Sequence, residues 1–291
     1  MPCYRPLTAY RNPNGGPLLF SSRYGYGDRS VKVACGQCMG CCLEYSRSWA
    51  VRCAHEASLY DDNCFVTLTY SDENLPFNGS LVKADFVGFH KRLRDRVGYG
   101  RFRFYACGEY GETTNRPHYH AILFNYDFPD KQLFTTSRSG HRLYTSEFLN
   151  DVWGFGHCQI GSVSFDSAAY VARYVTKKVT GPLAADHYAG REPEFSDMSR
   201  RPGIGSAWLK KFTSDVYPSD DVVVNGVRCR PPRFYDNCFE VIDPVLFARI
   251  RGKRVSRGRD KPRDSDYRLK QREEAVARSL SVRSSTPSEG V

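Results

Sequence analysis

Nine residues, Arg116-Pro-His-Tyr-His-Ala-Ile-Leu-Phe124, restrict the fold more than any others in the chain. The run is short and apolar, and as a β-strand its side chains alternate between two faces. His118 and His120 then share one face, while Tyr119, Ala121 and Leu123 share the other. Two imidazoles held side by side on a rigid strand can bind one divalent ion. Buried with neither a ligand nor hydrogen-bond partners, they would be costly. The bland alternative is a pair of satisfied core or edge histidines, since His-x-His is common by chance.

A second stretch bears on that choice. Tyr170-Val-Ala-Arg-Tyr-Val-Thr-Lys-Lys178 reads as the middle of a helix that starts near Asp166, a candidate N-cap. At ~100° per residue, Tyr170, Tyr174 and Lys177 share one face and Val171, Val175 and Val179 another. Two phenols and an ammonium therefore point together. Ordinary tyrosine packing beside a solvated lysine is the alternative.

The third feature is Cys35-x2-Cys38-x2-Cys41-Cys42, a spacing that lets thiolates of one tight turn share a tetrahedral ion. The eleven cysteines are odd in number and unevenly spread, which favours metal binding or reduced thiols over a disulfide framework. Cys35, Cys38 and either Cys41 or Cys42, with Cys3 as a candidate fourth ligand, make a possible structural zinc site.

Between these features the pattern alternates strands and helices. A helix over 42–60 is expected to turn Trp49, Cys53 and Leu59 inward and Arg47, Arg52 and Glu56 outward. A strand follows over 64–69, and then an amphipathic helix over 83–96 with Phe86, Phe89 and Leu93 buried and a solvated basic face at Lys91, Arg92, Arg94 and Arg96. Strands over 101–109 and 157–163 flank a helix over 143–153. This order predicts an α+β fold, an antiparallel central sheet flanked by helices and covered on one face, with an N-terminal cysteine-rich segment and a basic C-terminal tail. Asn225-Gly226 is the best hairpin signal in the chain. The expected divisions are 1–60, 61–182, 183–248 and 249–291, the last partly disordered.

Charge points to a polyanion. The chain of 291 residues carries a formal +10, of which +7 lies from Arg249 onward. No apolar run is long enough to span a membrane, and the N-terminus lacks a secretory pattern, so a soluble cytoplasmic protein with no membrane partner is expected.

Phe65-Val-Thr-Leu-Thr-Tyr70, His118-Tyr119-His120 and Tyr170-x3-Tyr174-x2-Lys177, in that order, resemble the three motifs of rolling-circle replication initiators of the His-hydrophobe-His (HUH) endonuclease superfamily. The closer similarity is to the initiators of Microviridae, particularly the gokushovirus branch. Cys35 to Cys42 followed by Trp49, Cys107-Gly-Glu-Tyr-Gly111 and Arg200-Arg-Pro-Gly-Ile-Gly205 add to it, and the resemblance spans about residues 30 to 240. It implies an HUH core at 61–182 and site-specific nicking and rejoining of single-stranded origin DNA in the cytoplasm of a bacterial host cell. It further implies a Mg²⁺ or Mn²⁺ ion on His118, His120 and an acidic residue, with Tyr170 or Tyr174 as nucleophile and Lys177 stabilising charge. A hairpin of the strand over 101–109 and the histidine strand, connected by 110–117, would bring Glu109 to the ion, with Glu112 the alternate. A host helicase and other replication proteins are the implied partners. Two rivals are an HUH transposase or relaxase, and a non-catalytic zinc-knuckle nucleic-acid-binding protein.

Overall fold

The computed structural model describes residues 3–111, 114–137, 140–174, 178–179, 184–259 and 265–285. Its strands are β1 Leu7–Tyr10, β2 Ser30–Val33, β3 Asn63–Thr69, β4 Arg103–Tyr110, β5 Pro117–Phe124, β6 Gln132–Thr136, β7 Arg142–Thr145, β8 Cys158–Gly161, β9 Phe195–Met198, β10 Val222–Val224 and β11 Val227–Cys229. Its helices are α1 Met39–Ala57, α2 Lys83–Val97, α3 Glu147–Trp153, α4 Phe165–Tyr174, α5 Ala184–Tyr188, α6 Ser206–Lys211, α7 Thr213–Val216, α8 Arg233–Ile242, α9 Pro244–Arg259 and α10 Asp266–Ser285. The described residues divide into two compact units, one of residues 3–45 with 256–285 and one of residues 46–255.

The larger unit is organised by a seven-stranded sheet in the order β6-β7-β8-β3-β5-β4-β9, antiparallel at every pairing. Period-two alternation sorts its residues onto two faces. Val66, Leu68, Tyr119, Ala121 and Leu123 meet Phe86, Phe89 and Leu93 of α2 and Leu149, Val152 and Trp153 of α3. Tyr105, Cys107, Ile122 and Phe124 meet Trp49, Ala50 and Cys53 of α1 and Ala168, Val171 and Ala172 of α4. The sheet is thus covered on both faces rather than one. Burying both sides explains the unbroken apolar run from Ala121 to Phe124 in β5.

Three local expectations change. Leu143 to Thr145 belongs to strand β7, and the helix starts only at Glu147, where Ser146 accepts a hydrogen bond from the Leu149 N–H at 3.0 Å. The basic face of α2 is not simply solvated: Arg92 donates to the Val152 and Trp153 carbonyls at 2.8 and 3.0 Å, closing the end of α3, and Arg96 pairs with Asp151. Arg52 and Glu56, expected outward, are buried. Arg52 lies between the rings of Trp49 and Phe234, 3.8 and 3.9 Å from their centroids, and donates to the Ile204 carbonyl. Glu56 accepts from the Gly205 N–H and pairs with Arg103, both at 2.6 Å. Residues 203–235, with Arg103 of β4, supply those partners and turn an exposed helix face into an interior one. The Asn225-Gly226 turn joins β10 to β11 with positive φ at both residues, as a two-residue hairpin of this type requires.

In the smaller unit β1 pairs antiparallel with β2, and Tyr4, Cys38 and Cys41 form a small core with Leu269 and Val276 of α10. Glu273 of α10 binds Arg5 at 2.9 Å and accepts from the Met39 N–H at 3.4 Å. Among the described residues, no helix is long and apolar enough to cross a membrane.

Candidate active site and metal clusters

Register places the first cluster. In the β4–β5 hairpin Glu109 lies directly opposite His118 and Cys107 opposite His120, so the carboxylate and both imidazoles emerge on the face covered by α1 and α4. His118 Nε2 and His120 Nε2 lie 2.9 and 2.8 Å from the same oxygen, Glu109 Oε1. Glu109 and His120 are almost wholly buried, and His118 keeps some exposure.

The second ring nitrogens decide what this convergence means. His118 Nδ1 lies 3.0 Å from the Arg116 carbonyl, which can only accept, so Nδ1 carries the proton and Nε2 of the neutral ring is a bare lone pair. His120 Nδ1 lies 3.0 Å from Thr67 Oγ1. A lone pair facing a carboxylate at hydrogen-bond distance has no hydrogen to share, and a proton or a cation must join them. Burial pushes the His120 imidazole down, against the upward pull of Glu109, which favours the neutral ring that ligates metal. Glu109 Oε2 has no hydrogen-bond partner among the described residues, and no Lys or Arg among them pairs with this carboxylate. Two imidazoles and a carboxylate, with their outer nitrogens held by a carbonyl and a hydroxyl, fit a divalent ion.

Helix α4 brings Tyr170 to the same place. Its N-terminus is fixed by Ser164 and Ser167, which bond each other's backbone N–H at 3.1 and 2.8 Å in a reciprocal cap. Asp166, the expected cap, instead sits in the first turn, where its charge suits the helix dipole. The Tyr170 ring lies edge-on to His120, with centroids 5.3 Å apart. Tyr174 is the last residue of α4, but its side chain, like Lys177 and the alternate ligand Glu112, lies outside the described residues. Thr67 is the site residue that the sequence reading passed over as part of a core strand. Its signal was available: it shares a face with Thr69 and pairs with His120 in the β3–β5 register.

The second cluster gathers Cys3, Cys35, Cys38 and Cys41. Sulfur separations are 3.8 Å for Cys3 and Cys35, 4.0 Å for Cys35 and Cys41, 3.9 Å for Cys3 and Cys38, and 3.6 Å for Cys38 and Cys41. A tetrahedron with metal–sulfur arms of ~2.3 Å has edges of ~3.8 Å. The ambiguity between Cys41 and Cys42 resolves to Cys41, and Cys3 is the fourth member. Backbone N–H groups of Tyr4, Cys35 and Cys38 point at Cys38, Cys3 and Cys35 sulfurs at 3.2 to 3.4 Å, an arrangement that stabilises thiolate charge. Burial pushes the Cys38 thiol up, but the N–H groups of Tyr4 and Cys41 with the Cys35 and Cys41 side chains outweigh it and bring it down to about 6. Burial pushes its neighbour Cys41 up.

A family model described as replication-associated protein ORF2/G2P matches residues 63–179, a span holding Glu109, His118, His120 and Tyr170 but none of the clustered cysteines. Replication-associated protein VP4 of Bdellovibrio phage phiMH2K is 34% identical over 252 residues, covering 84% of this chain and 79% of its own. Replication-associated protein ORF2 of Spiroplasma virus 4 is 33% identical over 264 residues, covering 82% and 81%. Replication-associated protein ORF4 of Chlamydia phage 1 is 29% identical over 215 residues, covering 71% and 53%. No solved structure matches the chain.

Proposed function

The chain belongs to the replication-associated proteins of Microviridae-like phages, and on that premise we propose that it starts rolling-circle replication by nicking and rejoining single-stranded origin DNA. One observation carries the chemistry: Glu109, His118 and His120 converge in a buried site with the Tyr170 phenol ring against His120.

Glu109, His118 and His120 would hold Mg²⁺ or Mn²⁺. When bound, the ion would polarise the scissile phosphate and ease its added negative charge in the transition state. The chain supplies the rest. Arg116, through its carbonyl, and Thr67 fix the imidazoles so that both Nε2 atoms face one point. The Tyr170 oxygen attacks phosphorus in line; the O–P bond to the phenol forms as the bond to the 3′ oxygen breaks. The phenol gives up its proton and the departing 3′ oxygen takes one up, so that the DNA 5′ end is left as a phosphotyrosine and the free 3′-OH primes synthesis. Because one phosphodiester replaces another, the 3′-OH can later attack the tyrosine ester and rejoin the strand. Tyr170 and Tyr174 share the two cleavages, one holding the first end while the other cuts after a full circle, in either order, and Lys177 steadies phenolate or phosphate charge. Two tyrosines four apart favour an initiator over a transposase or relaxase. A host helicase and replication proteins complete the reaction in the bacterial cytoplasm.

Zinc suits the cysteine cluster, because four thiolates at tetrahedral spacing leave no open position for a substrate. The zinc-knuckle reading then becomes one part of the protein rather than an alternative to catalysis.

The test is a denaturing gel of protein incubated with single-stranded origin oligonucleotides and Mn²⁺. Wild type forms a covalent adduct. Tyr170→Phe with Tyr174→Phe abolishes it, as does His118→Ala with His120→Ala, with a loss of roughly 10³-fold or more expected where the whole metal site is removed. Binding with no adduct across all origin candidates would make the chain a DNA-binding protein without this chemistry.

A further inference from the structure

The N-terminal loop between β1 and β2 carries a feature that neither metal cluster uses. Phe20, Tyr24 and Tyr26 are 65%, 66% and 43% exposed, three large rings in seven residues. They do not hang from a slack segment. Tyr10 and Leu19 exchange both backbone hydrogen bonds, at 2.7 and 2.9 Å, the Tyr26 N–H bonds the Arg11 carbonyl at 3.0 Å, and the Arg29 N–H bonds the Tyr26 carbonyl at 3.0 Å. Gly25 passes so near Tyr10 that an added Cβ would sit 2.5 Å from the tyrosine Cβ, so the crossing demands glycine. The backbone is pinned while the rings face solvent.

Cations accompany the rings. The Arg23 guanidinium lies 5.7 Å from the Tyr24 ring centre and that of Arg29 5.3 Å from the Tyr26 ring centre. With Arg11 and Lys32 these make four cations against one carboxylate, Asp28, over residues 10–33. Aromatic and arginine side chains are also common at protein interfaces, but four cations against one carboxylate in so short a loop match a polyanion better than a mixed-charge protein surface. Duplex DNA keeps its base faces stacked and offers the rings little. Unstacked single-stranded DNA offers flat base faces to aromatic rings and phosphates to arginines at short intervals.

We propose that Phe20, Tyr24 and Tyr26, with Arg11, Arg23 and Arg29, form a stacking platform for single-stranded DNA, separate from the Glu109 site. This rests on the reading that the chain works on single-stranded DNA, and it adds a sequence-tolerant hold on the strand. The platform keeps the strand on the protein without taking part in cleavage.

The experiment is fluorescence anisotropy of the full chain with a labelled twenty-nucleotide oligothymidylate and with a random-sequence duplex of equal length. The triple variant Phe20→Ala, Tyr24→Ala, Tyr26→Ala is expected to bind oligothymidylate about tenfold or more weakly and the duplex unchanged. Tyr24→Trp with Tyr26→Trp restores full affinity, which a general loss of folding would not permit. Equal affinity of the triple variant and wild type for oligothymidylate overturns the platform, as does an equal loss on the duplex. The adduct assay on a short origin oligonucleotide reads the nicking proposal separately: adduct formation by the triple variant alongside lost oligothymidylate binding supports both. Unchanged binding with adduct formation overturns the platform alone.

Discussion

The cysteine cluster and the Glu109 cluster both gather ligand atoms within 4.8 Å of one another, yet they differ in the properties that decide what an ion can do. The first offers four soft sulfurs, contributed by a loop, a turn and the start of a helix, and their mutual spacing fills a tetrahedron. An ion there has no vacancy and serves to hold chain segments together. The second offers two nitrogens and one oxygen from adjacent strands of a rigid hairpin, leaving positions for phosphate oxygens and water. Ligand count and hardness, read together with the element that carries each ligand, separate a staple from a reaction centre.

The largest effect expected from this contrast is on the staple. If the cluster holds zinc as proposed, Cys38→Ser should lose it, and structural zinc sites hold about 10 kcal/mol or more of folding free energy in small domains. The smaller unit has little else: its core is Tyr4, Cys38 and Cys41 against Leu269 and Val276. Limited proteolysis should cut Cys38→Ser within residues 3–45 under conditions where wild type is resistant, with metal content falling by one zinc per chain. Adduct formation on a short oligonucleotide should persist, since the two clusters are built from different ligands. Loss of adduct together with loss of zinc would erase the distinction between the clusters.

Each cluster is legible in the sequence for a different reason. Glu109 comes from the family resemblance and an expected hairpin, with Glu112 as the alternate; the observed register is what sets Glu109 opposite His118. Cys38 and Cys41 follow from local spacing, but Cys3 lies 32 residues before Cys35 and only the β1–β2 pairing brings it back. The second layer of helices over the sheet is less visible. Arg52 and Glu56 look like a solvated helix face because the groups that bury them, Ile204, Gly205 and Phe234, lie some 150 or more residues downstream. Leu143 to Thr145 fits helical spacing as well as strand alternation, and the Ser146 cap settles the boundary only once the backbone is known. A short apolar window cannot choose between the two periods by itself.

A smaller effect sharpens the contrast from the other side. Thr67 Oγ1 lies 3.0 Å from His120 Nδ1. Losing an outer partner of a metal-ligating histidine costs about 10–100-fold in metal affinity or activity. Thr67→Val, nearly isosteric, should raise the Mn²⁺ concentration needed for half-maximal adduct formation within that range. Thr67→Ser should restore it. The zinc content of the cysteine cluster should not change in either variant. A Thr67→Val protein with an unaltered Mn²⁺ requirement would mean that sheet packing alone aims His120.

The smallest effect belongs to a buried histidine that, among the described residues, hydrogen-bonds to no carboxylate. His55 stacks on Trp208, with centroids 3.5 Å apart, and its Nδ1 lies 3.0 Å from the Tyr235 hydroxyl. Burial alone pushes it down to about 4. Its folded pKa lies below its unfolded value of about 6.5, so the unfolded chain binds the extra proton between these limits. Stability from this group is therefore full above pH 6.5 and is lost progressively as pH falls toward 4, by about 1 kcal/mol at pH 5.5. Urea denaturation of wild type and His55→Gln at pH 7 and pH 5.5 should show the variant losing about that much less over the interval. Equal losses would mean that the ring protonates freely in the fold. Buried without a carboxylate partner, an imidazole is pushed toward neutrality at the expense of acid stability; with Glu109 it becomes half of a site that calls for a cation.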